Sequence, residues 1–410
     1  MGREDAAQGW KIHVSATLLS ANDVFSRARP ILAEHDAAFK VPARLDLLAA
    51  FNSGLRSFSQ VGKFLTVYPR TDAEAVKLAR KLHTATCRLH GPKIPFDAHY
   101  RKNSLVFYRY APFLGVGRDG NAKIVDNAGR LRRDVRDRAH AVPKWLRDPL
   151  NKRRAKSNGL RLPVWIGRGL LPFKALAQRG KGGVYQAVDL SVSPPRLVII
   201  KEGRRHGETD WLGQDGFARI KHEGRILRWL HRRGLPVPKP LREFNHDGNR
   251  YLVLEIARGR RLLGKNRKKS GRSSWQRAIK LLNRLEPVLR KIHSVGYVWR
   301  DCKPEHIFTF RRKISLIDFE GACRISEVGV LPWSSPRYLP PIYRKEFAVR
   351  RAATLEDDYA LGVIVFQFLS GEFPPDSARL RALVYKRTGC PDCLRAKIES
   401  LLSAAREVLD

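Results

Sequence analysis

The chain has 410 residues, 43% of them hydrophobic, which excludes wholesale disorder and leaves room for two or three cored domains. Its formal net charge of +40 calls for anionic company. With no paired-cysteine zinc finger, no basic region with heptads and no aromatic RNA-binding consensus, nucleic acid fits less well than acidic peptides and phosphates, or a solvated surface.

No apolar run reaches the ~18–20 residues of a membrane span, and the longest, 359–369, fits a buried helix. The start MGREDAAQGWK lacks a signal-peptide core, Ala6 stands where a myristoylation signal wants Ser or Thr, and five scattered cysteines make no disulfide framework. A cytoplasmic protein without membrane contact is the expectation.

Helix and strand signals alternate first: Ser20 with Asp23 opens an apolar-periodic run, while KFLTVYP (63–69) and SLVFYRY (104–110) suit strands. Residues 116–169 are rich in Arg, Pro and Gly, with VPKWLRDPL (142–150) as an apolar anchor, and suggest a basic connecting region. From 170 onward the strands LVIIK and YLVLEI precede helices around 275–294, 357–369 and 393–409, so a small sheet lobe precedes a helical one. The expected class is α+β, a mixed α/β domain followed by a bilobal protein-kinase-like domain over 170–410.

Phosphoryl transfer needs a cover over phosphates, a cation for their oxygens, metal-holding groups and a carboxylate near the attacking hydroxyl. RGKGGVYQAVDL (179–190) offers Gly180, Gly182 and Gly183 as the cover and Val184 as a roof for adenine. Lys201 ends LVIIK and would reach the phosphates, with Glu223 on a following helix as its partner. In WRDCKPEH, Asp301 would orient the acceptor and take its proton, and Lys303 would neutralise the γ-phosphate and suggests a Ser/Thr acceptor. Asp318 in LIDFEGA would hold Mg2+, and Asp357 begins an apolar helix. Three letters depart from the kinase pattern: Trp299 for His before Arg300, His306 for the second metal-binding Asn, and Glu320 for Gly. Because Mg2+ prefers oxygen, His306 as a metal ligand puts a two-metal geometry in doubt. The cofactors implied are ATP, or another nucleoside triphosphate, and Mg2+.

The ordered set WKIHVSA, AFKVP, VGKFLTVYP, HGPKIPFD, VFYRYAPF, VPKWLRDP and the kinase motifs through DFEGA resembles class III and class IV lanthipeptide synthetases. The resemblance implies that residues 1–115 are a phosphoserine/phosphothreonine lyase domain, and that the kinase phosphorylates Ser or Thr of a precursor peptide with an acidic leader. By the same resemblance Lys40 is the base that removes the α-proton and His13 the acid that protonates the departing phosphate. Arg109, with Lys63 and Arg70, would clamp the phosphate, and Asp97 would orient a neighbour. The leader would lie along the basic stretch 130–168. The family's cyclase would begin where this sequence ends, so ring closure, where it occurs, falls to a separate partner. Cys390 and Cys393 make a single CxxC, half a zinc site, and suit the start of a final helix.

Other readings stay open on the sequence. One is a Ser/Thr kinase whose N-terminal domain only recruits substrate. The other is a pseudokinase scaffold that holds an acidic peptide by charge.

Overall fold

The computed structural model describes residues 7–113, 122–135, 141–151, 165–262, 273–311, 313–331, 333, 335–344 and 351–403. Much of the basic stretch proposed for the leader, 136–140 and 152–164, lies outside these residues, as does the end of the expected last helix, 404–409. The chain divides into two compact units, residues 1–220 with 244–252, and residues 221–243 with 253–410. Among the described residues no helix is long and apolar enough to cross a membrane.

The first unit opens with β1 (Gln8–Val14), α1 (Ala21–Glu34), β2 (Ala38–Lys40), α2 (Leu45–Ser53), β3 (Leu65–Tyr68), α3 (Asp72–Thr86), β4 (Ala98–His99) and β5 (Val106–Pro112). The five strands form an antiparallel sheet in the order β2-β3-β1-β5-β4. Strand side chains alternate between faces, and here the alternation separates two chemistries. One face carries Trp10, Ile12, Val14, Leu65, Val67, Val106 and Tyr108, in one core with Val24, Ala28 and Leu32 of α1 and Leu78, Ala79 and Leu82 of α3. Each fully buried side chain of this kind contributes about 1.5–3 kcal/mol.

Ser20 does sit at the N-cap of α1, but its side chain makes no cap hydrogen bond. Its hydroxyl instead donates to the His90 carbonyl at 2.7 Å and accepts the Thr17 N–H at 3.0 Å, tying two loops together. The strands β6 (Lys123–Val125) and β7 (Leu131–Arg133) form a hairpin, and Val142 and Leu150 of the expected apolar anchor join the core of the first sheet.

Five further strands, β8 (Leu170–Arg179), β9 (Gly182–Asp189), β10 (Arg196–Gly203), β11 (Pro240–His246) and β12 (Asn249–Glu255), form a second sheet in the order β11-β12-β10-β9-β8. Between β10 and β11 runs α4 (Gly216–Arg232), whose residues from 221 onward belong to the second unit.

Short strands and long helices make up the rest of that unit: β13 (Arg260–Arg261), α5 (Ser273–Ser294), β14 (Tyr297–Val298), β15 (Ile307–Phe310), β16 (Lys313–Leu316), β17 (Cys323–Arg324), α6 (Pro341–Arg344), α7 (Leu355–Ser370), α8 (Ala378–Thr388) and α9 (Asp392–Ser403). Apolar on nearly every side, α7 is buried from Tyr359 to Phe366 and packs against α5 and α9. A helix of that pattern belongs in the centre of a helical layer. Its first turn holds Glu356, Asp357 and Asp358, where the helix dipole favours negative charge.

Candidate active sites

The second face of the N-terminal sheet is polar. Register places Lys40 opposite Thr66, Thr66 opposite His13, and Lys11 opposite Arg109, so strands β2, β3, β1 and β5 present these groups to one side. At its centre lies the buried Asp97 carboxylate, 2.5 Å from His13 Nδ1, 3.6 Å from Lys63 Nζ and 3.9 Å from Arg109 Nη1. Arg109 also donates to Asp134 and to the Val135 carbonyl. Asp134 was not legible as a site residue, because it sits in the arginine-rich run LRRDVRDR and looks there like one charge among many.

Burial and the adjacent Lys63 cation push the His13 imidazole down to about 4, although Asp97 pulls the other way. Burial alone would raise the Asp97 carboxyl, but His13, Lys63 and Arg109 hold it well below the usual carboxylate range. A neutral His13 therefore faces an ionised Asp97 flanked by two cations.

Not every expected residue joins this cluster. Lys40 is exposed, and its ammonium lies 5.9 Å from the Tyr68 ring centre, with that of Lys11 5.5 Å from the same ring. Arg70 is further out, an exposed side chain whose Nη2 lies 2.8 Å from Asp36 Oδ2.

In the second sheet, Gly180 and Lys181 form the turn between β8 and β9, with Arg179 paired to Gly182 and Gln178 to Gly183. Lys201 stands directly opposite Val184, which puts the expected phosphate cation and adenine roof on one face.

The second unit holds the acid groups. Both oxygens of Asp301 accept from Lys303 Nζ, at 2.9 and 3.0 Å, and His306 Nδ1 lies 3.2 Å from Oδ2. Burial would raise the Asp301 carboxyl, but the hydrogen bond and charge of His306 and the charge of Lys303 hold it below its ordinary value. His306 Nε2 is 3.3 Å from Asp318 Oδ2, so the imidazole bridges the two acids. One ligand atom from each of Asp301, His306 and Asp318 lies within 4.8 Å of the others. Two carboxylates at that spacing suit a divalent cation that prefers oxygen, with the imidazole as a third, poorer ligand.

Arg300 and Asp318 both have φ of +67°, a conformation that costs an L residue about 1–3 kcal/mol. Their surroundings hold them there. Asp357 accepts the Trp299 N–H at 2.9 Å and the Arg300 N–H at 2.8 Å, and is itself 2.9 Å from His293 Nε2. The peptide linking Asp318 to Phe319 is gripped at both ends: its carbonyl accepts from Trp299 Nε1 at 3.0 Å, and its N–H donates to Glu223 Oε1 at 3.0 Å. The Trp299 ring also stacks on Phe319, with centroids 5.5 Å apart. The tryptophan that replaces histidine thus keeps an N–H donor and adds a ring contact.

The glycine lost to Glu320 is followed by Gly321, where an added Cβ would fall 2.1 Å from the Trp333 ring. Buried beneath, Arg300 Nε donates to both oxygens of Glu356, at 3.1 and 3.0 Å. Neither that pair nor the double role of Asp357 has a local sequence signature, since the partners are separated by more than fifty residues.

An aspartate with a lysine two residues on, a second aspartate before a buried Phe, and a central helix whose acid orders the intervening loop define a phosphotransferase of the protein kinase kind. Comparison with known families agrees: residues 179–392 match the protein kinase domain and residues 1–159 match the family described as RamC, N-terminal domain. The chain belongs to the protein kinase family. Its resemblance to lanthipeptide synthetases, an N-terminal domain of its own family ahead of a kinase domain, stands on these two matches.

Among individual relatives, the probable SapB synthase of Streptomyces coelicolor is 30% identical over 371 residues, 85% of this chain and 39% of that protein. The serine/threonine-protein kinase pkn2 of Myxococcus xanthus is 30% identical over 219 residues, 50% of this chain and 25% of its own. The probable serine/threonine-protein kinase PknB of Lactococcus lactis is 27% identical over 223 residues, 52% of this chain and 34% of its own. This chain therefore spans well under half the length of each of these relatives.

Proposed function

We propose that the chain is a peptide dehydratase acting in two steps, phosphorylating Ser or Thr of a precursor peptide with ATP and then eliminating phosphate to leave a dehydroamino acid. The observation that carries it is the polar sheet face, where His13, Lys63 and Arg109 surround Asp97 within 3.9 Å in a domain attached to a kinase.

In the first step Asp301 orients the hydroxyl and accepts its proton while the oxygen attacks the γ-phosphorus, and the bond from that phosphorus to the β,γ-bridging oxygen breaks with its electrons on the departing ADP. Lys303, which rests on Asp301 in the structure, turns to the transferred phosphoryl group. A divalent cation on Asp318, with His306 beside it, would supply charge neutralisation at the phosphate oxygens.

In the second step Lys63 and Arg109 hold the phosphate dianion. Lys40 takes the α-proton, the Cβ–O bond breaks with its electrons on oxygen, and the new double bond joins Cα to Cβ. His13, held neutral by burial and Lys63, gains a proton when the dianion offsets Lys63, and delivers it to the departing phosphate. The charge of +40 suits an acidic leader on the precursor.

The exposure of Lys40, outside the buried cluster, favours a second reading in which the N-terminal domain recruits peptide without catalysis. Intact mass after incubation with candidate peptide and Mg-ATP decides. Loss of one water per modified residue supports the dehydratase, gain of phosphate alone supports the second reading, and an unchanged mass alongside measurable peptide binding leaves a pseudokinase scaffold.

A further inference from the structure

The glycine turn between β8 and β9 is the expected cover for phosphates. Its tip is built into the N-terminal domain. The Gly180 N–H donates to the carbonyl of Ser53, the last residue of α2, at 3.0 Å. Carbonyls at a helix end lack partners within the helix, so this bond satisfies both elements at once. An added Cβ at Gly180 would fall 1.6 Å from the Asn52 carbonyl oxygen, although Gly180 itself does not have a left-handed φ.

Asn52, only 2% exposed, fixes the end of α2 in turn. Its Nδ2 donates to the Ala16 carbonyl at 3.0 Å and its Oδ1 accepts the Gly62 N–H at 3.0 Å. On the other side of the turn the Lys181 carbonyl accepts the Arg204 N–H at 2.7 Å. Two more contacts follow the same seam: His90 stacks on His206 at 4.8 Å, and Lys93 Nζ donates to the Asp247 carbonyl at 3.3 Å.

We propose that Asn52 is a positioning residue for the phosphotransfer reaction, setting through the Ser53 carbonyl where the glycine turn sits and so how tightly the kinase domain holds nucleotide. The proposal rests on the reading of that turn as the phosphate cover. The lyase-like domain is then a structural part of the nucleotide site, and truncating it removes more than elimination.

The test uses the full chain with Asn52→Ala, Gly180→Ala and the double variant, measuring the Kd of a fluorescent ATP analogue with Mg2+, thermal melting, and hydrogen exchange at the 178–183 segment. Each single variant is expected to weaken nucleotide binding at least fivefold and to speed exchange in that segment. The double variant should be no worse than the poorer single one, since both break one seam. If Asn52→Ala fails to fold, Asn52→Asp, which keeps the acceptor for Gly62 and loses the donor to Ala16, takes its place. Wild-type affinity in a folded single variant, or losses that add in the double, overturns the proposal while leaving the kinase reading intact. Failure of the wild-type chain to bind nucleotide removes that reading and the proposal with it.

Discussion

The protonation of His13 is the most exposed point of the elimination mechanism. The imidazole is pushed down to about 4, first by burial and next by Lys63. Moving a histidine from 6.5 to that value disfavours the imidazolium by roughly 3 kcal/mol, at 1.36 kcal/mol per pH unit. Lys63→Met removes the nearest cation and leaves the burial, so the His13 titration should move up from about 4 and stay below 6.5.

A bound phosphate dianion should act in the same direction, cancelling Lys63 without removing it. NMR titration of histidine Cε1 resonances, with His13→Gln to assign the signal, gives all three values: wild type, Lys63→Met, and wild type saturated with a phosphoserine peptide. The sign also fixes an effect on stability. Because the unfolded chain binds the extra proton between pH 6.5 and 4, acidification through that window should cost up to about 3 kcal/mol, an effect absent from His13→Gln. A wild-type His13 that titrates near 6.5, or one that phosphopeptide leaves unmoved, refutes the proposed acid.

Four variants test the remaining assignments. Asp318→Asn should abolish phosphorylation and leave elimination from a prephosphorylated peptide unchanged, as followed by intact mass; loss of both would mean the two sites do not act separately. Lys40→Ala should let phosphopeptide accumulate, and continued dehydration by that variant would remove Lys40 as the base. His306→Asn should keep or raise the phosphorylation rate, since it restores an oxygen ligand beside Asp318. A large drop in Mg2+-dependent turnover would show instead that the imidazole contributes directly. Glu356→Gln leaves the Arg300 guanidinium buried without its carboxylate and should destabilise the fold by about 3–5 kcal/mol in urea melts; an unchanged midpoint would show that the carbonyls of Gly321 and Leu331 suffice.

The kinase groups were legible because they fall in short contiguous motifs: Asp301, Lys303 and His306 lie within six residues, and Asp318 follows after one hairpin. The polar sheet face was legible only through the resemblance. Its members come from separate strands and loops between positions 11 and 134, and a lone histidine or lysine in a strand carries no mark of its neighbours. Trp299 shows in the sequence only as a departure from the kinase pattern, because its indole donor finds the Asp318 carbonyl only in three dimensions. Ser20 marks the start of α1, as its place before an apolar-periodic run suggests, while its tertiary hydrogen bond to the His90 carbonyl has no local signature. Gly180 was legible as part of a glycine-rich turn, but the Asn52 carbonyl that leaves no room for a side chain there lies some 128 positions earlier in the chain.

The two-faced N-terminal sheet has a consequence for how such a chain can change. Ile12 and His13 are adjacent in β1, one turned to the helices and the other to Asp97. Point substitutions can therefore retune one surface while the other stays untouched, and the chemistry can drift on a constant scaffold. Insertion or deletion of a single residue within β1 is another matter. With side chains alternating strictly, a one-residue slip would turn an ionisable ring into oil and an isoleucine toward Asp97, losing the core and the polar cluster in one event.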